Sequence, residues 1–147
     1  METSSPVSSP TVTRLVPFAH VVGVDDSIAF YALLGFSIKS VLRDRDGLSF
    51  WAMLGSGGAE LMLARASGEI NDSQQAILFY MYAENVIAMR SHLLAKGLTD
   101  GQRYVGQAGP GGGRKVVFQP THPHHMPAGE LRVIDPDGYV ILIGQLG

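Results

Sequence analysis

The stretch "ELRVIDPDGYVILIG", residues 130–144, decides the fold of this chain, because two apolar runs flank a tight reversal. Within "DPDG", Asp135 can bond the backbone of its own turn, Pro136 fixes φ, and Gly138 accepts the positive φ that ends the turn. The pattern therefore predicts a β-hairpin. Its second strand also bears on function, because alternation turns Leu142 toward one side of the sheet.

The composition sets the class of protein. A chain of 147 residues, 46% of them hydrophobic, is long enough for one well-buried domain or two small fused modules. The net charge of −2 is too weak to indicate a nucleic-acid or membrane partner. Cysteine is absent, which excludes disulfides, thiolate metal sites and cysteine nucleophiles. Residues 1–13 lack the features of a signal peptide and predict a disordered tail, so we expect a cytoplasmic protein.

The first half of the chain predicts a strand, a helix and three further strands. The extended segment "RLVPFAHVVGV" precedes a helix through "SIAFYALL", which Asp25 or Asp26 can cap and which Gly35 ends. The runs "SIKSVLRD", "LSFWAML" and "AELMLA" follow as strands. This order predicts one βαβββ module over residues 14–70.

The second half repeats that order. "QAILFYMYA" predicts a strand and "ENVIAMRSHLLAKG" a helix that ends at Gly97, followed by a strand at "QRYVGQ" and the hairpin. Residues 75–147 therefore form a second βαβββ module, and residues 14–147 one domain. Setting "VDDSIAF" against "AENVIAM" pairs His20 with Phe79, and setting "GSGGAELMLA" against "DPDGYVILIG" pairs Met62 with Leu142.

The segments "HVVGVDDSIAFYALLGF", "GGAELMLA" and "GELRVIDPDGYVILIG" resemble the vicinal oxygen chelate superfamily, which covers glyoxalase I, bleomycin-resistance proteins and extradiol dioxygenases. The resemblance runs from about Leu15 to Gln145. It implies an α+β fold in which two tandem βαβββ modules form a cupped, incomplete mixed β-barrel with a ligand in the cup. It also implies a homodimer, in some members with modules exchanged between chains.

Metal-dependent members of this superfamily take ligands from the first and last strands of each module. Carried over by the resemblance, these positions hold His20, Met62, Phe79 and Leu142. Only His20 can bind a hard or borderline divalent ion, whereas a catalytic site needs about three protein ligands. The resemblance therefore implies the fold without its usual metal site, and we expect no cofactor.

Two further groups keep a site for Zn, Ni, Mn or Fe open as the alternative. Glu60 faces the same side of its strand as Met62, and a bulge would bring it toward His20. The "THPHH" run also offers His124 as a ligand. The competing interpretations are a solvated Glu60, a polar loop at the rim of the cup, and a hydrogen-bonded core histidine at His20.

Aromatic and methionine side chains suit a flat, apolar ligand. Alternation places Phe18 and His20 on one face of the first strand, and the repeat predicts the equivalent face for Phe79 and Met81. The competing interpretation is that about half of these side chains pack the sheets against the helices. The residues expected to line the cup are Phe18, His20, Trp51, Met53, Met62, Phe79, Met81 and Leu142.

Two remaining features of the sequence bear on the cup. The glycine-rich segment "GQAGPGGGRK" lacks the ending of a phosphate loop and predicts a flap over the cup. Glu130 and Arg132 share one strand face, where they form a pair with each other or where Arg132 contacts an anionic ligand.

Three functions follow from this sequence. The first is a protein that binds a small, largely apolar molecule in the cup, similar to the bleomycin-resistance branch. The second is a divalent-metal-dependent lyase, isomerase or dioxygenase that acts on vicinal oxygens. The third is an interaction module with a vestigial cup.

Overall fold

The computed structural model describes residues 10, 11, 13–71, 77–105 and 114–147. Most of the predicted tail and most of the predicted glycine-rich flap lie outside the described residues. The elements are, in chain order, β1 (Phe18–Val21), α1 (Val24–Ala32), β2 (Ser37–Arg43), β3 (Ser49–Ser56), β4 (Ala59–Arg65), β5 (Leu78–Tyr82), α2 (Val86–Ala95), β6 (Thr99–Asp100), β7 (Val116–Val117), β8 (Glu130–Ile134) and β9 (Val140–Gly144).

The strands form two mixed sheets. The first sheet has the order β1-β4-β3-β2, and the second has the order β5-β9-β8-β7-β6. In each sheet the first strand runs parallel to the last strand of its half, and the last strand pairs antiparallel with the one before it. The predicted α+β fold with two related halves is thus confirmed, and the sheets do not close into a barrel.

Both helices end as the sequence predicts, but α1 begins differently. Gly35 and Gly97 follow the helices with φ of +94° and +103°, a conformation that glycine adopts without strain. The prediction that Asp25 or Asp26 caps α1 is wrong, because both lie inside the first turn and no side chain caps the helix. Asp25 instead accepts a hydrogen bond from the backbone N–H of Ser49, at 3.0 Å.

One predicted strand of the second half is wrong. The described part of "QRYVGQ", residues 102–105, is not a strand, because Gln102 has a φ of +62° that turns the backbone away from β geometry. The short strands β6 and β7 take its place, with Thr99 opposite Val116.

The hairpin of residues 130–144 forms as predicted. Asp135 Oδ1 accepts the backbone N–H groups of Asp137 and Tyr139, at 2.8 and 2.9 Å. Gly138 has a φ of +85°, as the turn requires. The Asp side chain therefore caps its own turn.

The helix-covered faces of both sheets share one hydrophobic core. The largest fully buried side chains are Tyr31, Leu54, Leu61, Leu63, Leu93, Leu131, Ile141 and Ile143. Because the covered faces meet in this core, the opposite face of each sheet points away from it. We call these the open face of the first sheet and the open face of the second sheet.

A buried hydrogen bond ties the two halves together. The Tyr31 hydroxyl on α1 donates to Asp135 Oδ2 in the second half, at 2.6 Å, and Asp135 is fully buried. Burial raises the pKa of Asp135 to about 6, although the hydrogen bond from Tyr31 opposes that shift. Burial likewise raises the pKa of Tyr31 well above its usual value. None of the described helices is long and apolar enough to span a membrane.

Candidate ligand-binding site

The open face of the first sheet carries five of the predicted cup residues. Phe18, Met62 and Met53 lie opposite one another across β1, β4 and β3, and His20 lies two residues beyond Phe18. Trp51 is two residues from Met53 on the same face. Phe18 is 53% exposed, although its ring contacts that of His20 edge to face. The structure thus brings these side chains together on one uncovered surface.

A cavity of about 780 Å³ lies where the first strands of the two halves approach each other. We call it the junction cavity. Phe18 and Glu60 line it from the first sheet, and Tyr139 lines it from the second half, with its ring stacked on Phe79 at 5.4 Å between centroids. The lining residues are Leu15, Pro17, Phe18, Phe36, Gly58, Ala59, Glu60, Leu61, Ile77, Leu78, Phe79, Tyr80, Met81 and Tyr139.

Phe79 and Met81 line this cavity from an unexpected side. Predicted on the same face as Phe18, they instead lie on the covered face of β5, where Phe79 is only 8% exposed. The cause is an error of three residues in the alignment of the second half of the chain on the first half. Gly35 corresponds to Gly97, so His20 corresponds to Tyr82, and an odd slip moves a side chain to the other face.

The corrected register identifies two residues of the open face that sequence reasoning missed, of which Tyr80 lines the junction cavity. Tyr80 and Tyr82 lie on the open face of the second sheet and correspond to Phe18 and His20. Leu142 lies opposite Tyr80, as Met62 lies opposite Phe18, which agrees with the predicted pairing of Met62 and Leu142. The two helix-ending glycines are the sequence signal that would have set the alignment correctly.

Glu130 anchors a polar cluster on the open face of the second sheet. The Tyr80 hydroxyl donates to Glu130 Oε2 at 2.6 Å, and His125 Nε2 lies 2.8 Å from the same oxygen. The Glu130 side chain is only 11% exposed. Burial and the adjacent Glu130 carboxylate raise the pKa of Tyr80 to about 12, so this hydroxyl stays protonated near neutral pH. Next to His125, Met126 fills the space above Gly144, where a Cβ atom would lie 2.7 Å from Met126 Cε.

Arg132 has a different partner from the one that strand alternation predicts. Its guanidinium lies 3.9 Å from the centroid of the Tyr104 ring, while Glu130 binds Tyr80 and His125. The predicted pairing of Glu130 with Arg132 is therefore wrong, because the loop before β8 supplies a closer partner for the carboxylate.

The candidate metal ligands do not form a metal site. Among the residues that the structure describes, no group of three or more His, Asp or Glu side chains is arranged to hold an ion. Glu60 is bound by Lys39 and Arg14, which hold the pKa of its carboxyl below the usual value. His20 lies opposite Ala64, four residues along β4 from Glu60, and His124 is an exposed loop residue. This donor set therefore does not fit a divalent ion.

Comparisons with proteins of known structure identify the fold. No protein-family model and no curated protein sequence matches the chain. A bleomycin-binding protein in complex with bleomycin superposes with a TM-score of 0.67 at 18% identity, covering 92% of this chain and 100% of that one. The bleomycin resistance determinant of transposon Tn5 gives 0.65 at 18% identity, covering 91% and 98%. A glyoxalase/bleomycin resistance protein from Streptomyces sp. CB03234 gives 0.60 at 19%, covering 88% and 97%.

Proposed function

We propose that this chain, which has the fold of glyoxalase/bleomycin-resistance structures, binds a small, largely apolar molecule in the junction cavity. The cavity itself is the observation that carries the proposal. Its volume of about 780 Å³ falls within the range of about 300–1,000 Å³ that is typical of small-molecule sites. Aromatic and methionine side chains, among them Phe18, Phe79 and Met81, line it together with few polar groups, as such sites require.

Binding of a small molecule without the usual metal site is the function that these residues support. Among the described residues no donor group fits a metal, and the carboxylate that borders the cavity, Glu60, is neutralised by two cations. The structural neighbours include a protein in complex with bleomycin. A chain with net charge −2 has little attraction for a cationic drug, so the proposed ligand is a different, apolar molecule.

A screen of lipophilic metabolites and antibiotics by thermal shift tests this proposal. A ligand present at about one hundred times its Kd stabilises the folded state by about 2.7 kcal/mol, which raises Tm by about 5–10 °C in a chain of this size. Gly58 lines the cavity, and a Cβ atom there meets nothing within 4 Å, so Gly58→Phe fills the cavity without a backbone clash.

Gly68→Phe is the matched control, because Gly68 has equally open surroundings and does not line the cavity. We expect hits to stabilise the wild type and Gly68→Phe but not Gly58→Phe. A hit that stabilises all three alike would contradict the cavity as the site, and a screen without hits would contradict the proposed function.

We further propose that a second copy of the chain covers the open face of the first sheet. Large apolar side chains are exposed there, including Phe18 and Leu42, at 53% and 50%. Exposed apolar surface of this kind marks an interaction site. Sedimentation at fixed concentration should show a homodimer that Leu42→Glu dissociates, whereas Leu146→Glu, at a residue 73% exposed near the C-terminal end, leaves it intact. A monomeric wild type would contradict this proposal. The cytoplasm stays the predicted location.

A further inference from the structure

Arg132 occupies the centre of the open face of the second sheet. In the β-ladder it lies opposite Leu142, which lies opposite Tyr80, so the three side chains form one row across β8, β9 and β5. Among the described residues no carboxylate pairs with its guanidinium, although Glu130 is only two residues away. Arg132 is half-buried, and an anionic partner would offset the cost of removing part of its charge from water.

The Tyr104 ring holds the guanidinium in place. The Arg132 Cζ atom lies 3.9 Å from the centroid of this ring, and the ring itself packs edge to face on Phe118 at 5.3 Å. A guanidinium stacked by one face on an aromatic ring keeps its N–H donors, which point outward in the plane of the group. Such donors match the two oxygens of a carboxylate.

The row of Arg132, Leu142 and Tyr80 leads from this guanidinium to β5, the edge strand of the sheet, where residues 77–81 from both faces line the junction cavity. Tyr80 lines the cavity, and it is separated from Arg132 by two strand spacings, about 10 Å. Leu142 between them gives an apolar floor that is half-buried in the free chain. A molecule of two or three fused rings therefore spans from the cavity to Arg132.

The other charged groups along this path are already paired. Glu60 at the cavity binds Lys39 and Arg14, and Glu130 binds Tyr80 and His125. Neither carboxylate is placed to select a cationic ligand. An anionic ligand group, in contrast, meets the guanidinium of Arg132, which lacks a carboxylate partner among the described residues.

We propose that the ligand is a flat aromatic carboxylic acid, whose carboxylate binds the Arg132 guanidinium while its rings lie over Leu142 and reach the junction cavity beside Tyr80. This inference rests on the proposed function, since it names the chemical class of the molecule in that cavity. It assigns to Arg132 the selection of acids over neutral molecules of the same shape.

Matched pairs of acids and carboxamides test the inference. Isothermal titration of the full chain with 2-naphthoate and 2-naphthamide, and with the corresponding anthracene and phenanthrene pairs, compares ligands that differ in charge and hardly in shape. We expect the acids to bind at least about tenfold more tightly, the factor that charge-assisted hydrogen bonds contribute. Arg132→Gln should remove this preference and leave the affinity for the amides within about twofold.

Arg65→Gln is the matched control, because it removes the same charge from an exposed arginine that pairs with Asp44. It should leave both affinities unchanged. If Arg132→Gln does not fold, Tyr104→Leu serves as the second variant, since it removes the ring that positions the guanidinium. Tyr104→Phe keeps that ring and should preserve the preference for acids.

The outcomes separate this inference from the proposed function. Acids and amides that bind the wild type equally, or an equal loss of both in Arg132→Gln, would overturn the inference and leave the apolar site standing. Wild-type protein that binds none of the six compounds would overturn both.

Discussion

Removing the Tyr31 hydroxyl should destabilise the protein more at pH 8 than at pH 5. This hydroxyl donates to Asp135 Oδ2 at 2.6 Å, inside the core that joins the two halves. Because the pKa of Asp135 is raised to about 6, its carboxyl is ionised at pH 8 and mostly protonated at pH 5. A hydrogen bond to a charged group contributes about 1.5–3 kcal/mol and a neutral one about 0.5–1.5 kcal/mol. Tyr31→Phe should therefore cost about 2–3 kcal/mol at pH 8 and about 1 kcal/mol at pH 5.

The raised pKa also fixes how the wild type responds to pH. A carboxyl whose pKa is higher in the folded state stabilises that state at low pH, and the contribution is lost as pH rises through the folded pKa. The pKa of Asp135 rises from 3.8 to about 6 on folding. As pH rises through these two values, the free energy of unfolding therefore falls by about 3 kcal/mol. Tyr31→Phe raises this pKa further, because the Tyr31 hydrogen bond lowers it, so the variant continues to lose stability above pH 6.

Urea denaturation followed by circular dichroism, at one protein concentration, measures these differences. With an m-value of about 2 kcal/mol/M, the midpoint should fall by about 1 M or more at pH 8 and by about 0.5 M at pH 5. Tyr139→Phe is the matched control, since its hydroxyl donates to the His20 carbonyl oxygen at 3.0 Å, an acceptor that does not titrate. A Tyr31→Phe shift that is equal at the two pH values would refute the reasoning.

Three further predictions concern the packing of Met126, the cap of α2 and the role of His20. Gly144→Val should cost about 1–3 kcal/mol in urea denaturation, because its Cβ displaces Met126, and an unchanged midpoint would mean that Met126 does not pack there. Asn85→Ala should cost about 1 kcal/mol, since the Asn85 side chain caps α2 through the Ala88 N–H at 3.0 Å, whereas Asn85→Asp keeps the cap and should not. His20→Ala should change neither folding nor the metal content measured by elemental mass spectrometry after dialysis against nickel, zinc, manganese and iron(II). Stoichiometric metal that disappears in this variant would contradict our account of the donor set.

The elements that local sequence specifies were predictable. Gly138 in the hairpin turn and the helix-ending residues Gly35 and Gly97 have a positive φ. Glycine adopts this conformation without strain, so its position in the sequence indicates the turn and the helix ends directly. The pairing of Met62 with Leu142 followed from the matching turns before the two strands. These features act over a few residues, so a single sequence is enough to read them.

The face of β5 was predicted wrongly because it depends on an alignment across the repeat. The match of "VDDSIAF" to "AENVIAM" relied on similar letters within the helices, whereas the helix ends set the true correspondence. In a strand, a slip of three residues moves Phe79 from one face to the other and hides Tyr80 and Tyr82. Two helical segments can be aligned with such a shift and still match in apolar residues, so the sequence did not reveal the error.

The contacts that shape the core and the open face of the second sheet join distant parts of the chain. Tyr31 and Asp135 are separated by 104 residues, and the positions of Tyr104 and His125 depend on the path of long connections. Strand alternation alone predicted a pair between Glu130 and Arg132. It could not show that a loop histidine and Tyr80 reach the carboxylate first.

The most direct test of the account is to locate a bound probe by NMR. A ¹H–¹⁵N titration of the labelled chain with neutral 2-naphthamide reports which backbone amides sense the ligand. We predict the largest shifts in residues 58–61 and 77–81 and at Phe18 and Tyr139, around the junction cavity. Shifts confined to the separate pocket lined by Ile87, Gln119 and His122, or no shifts at all, would contradict the claim that the junction cavity binds small apolar molecules.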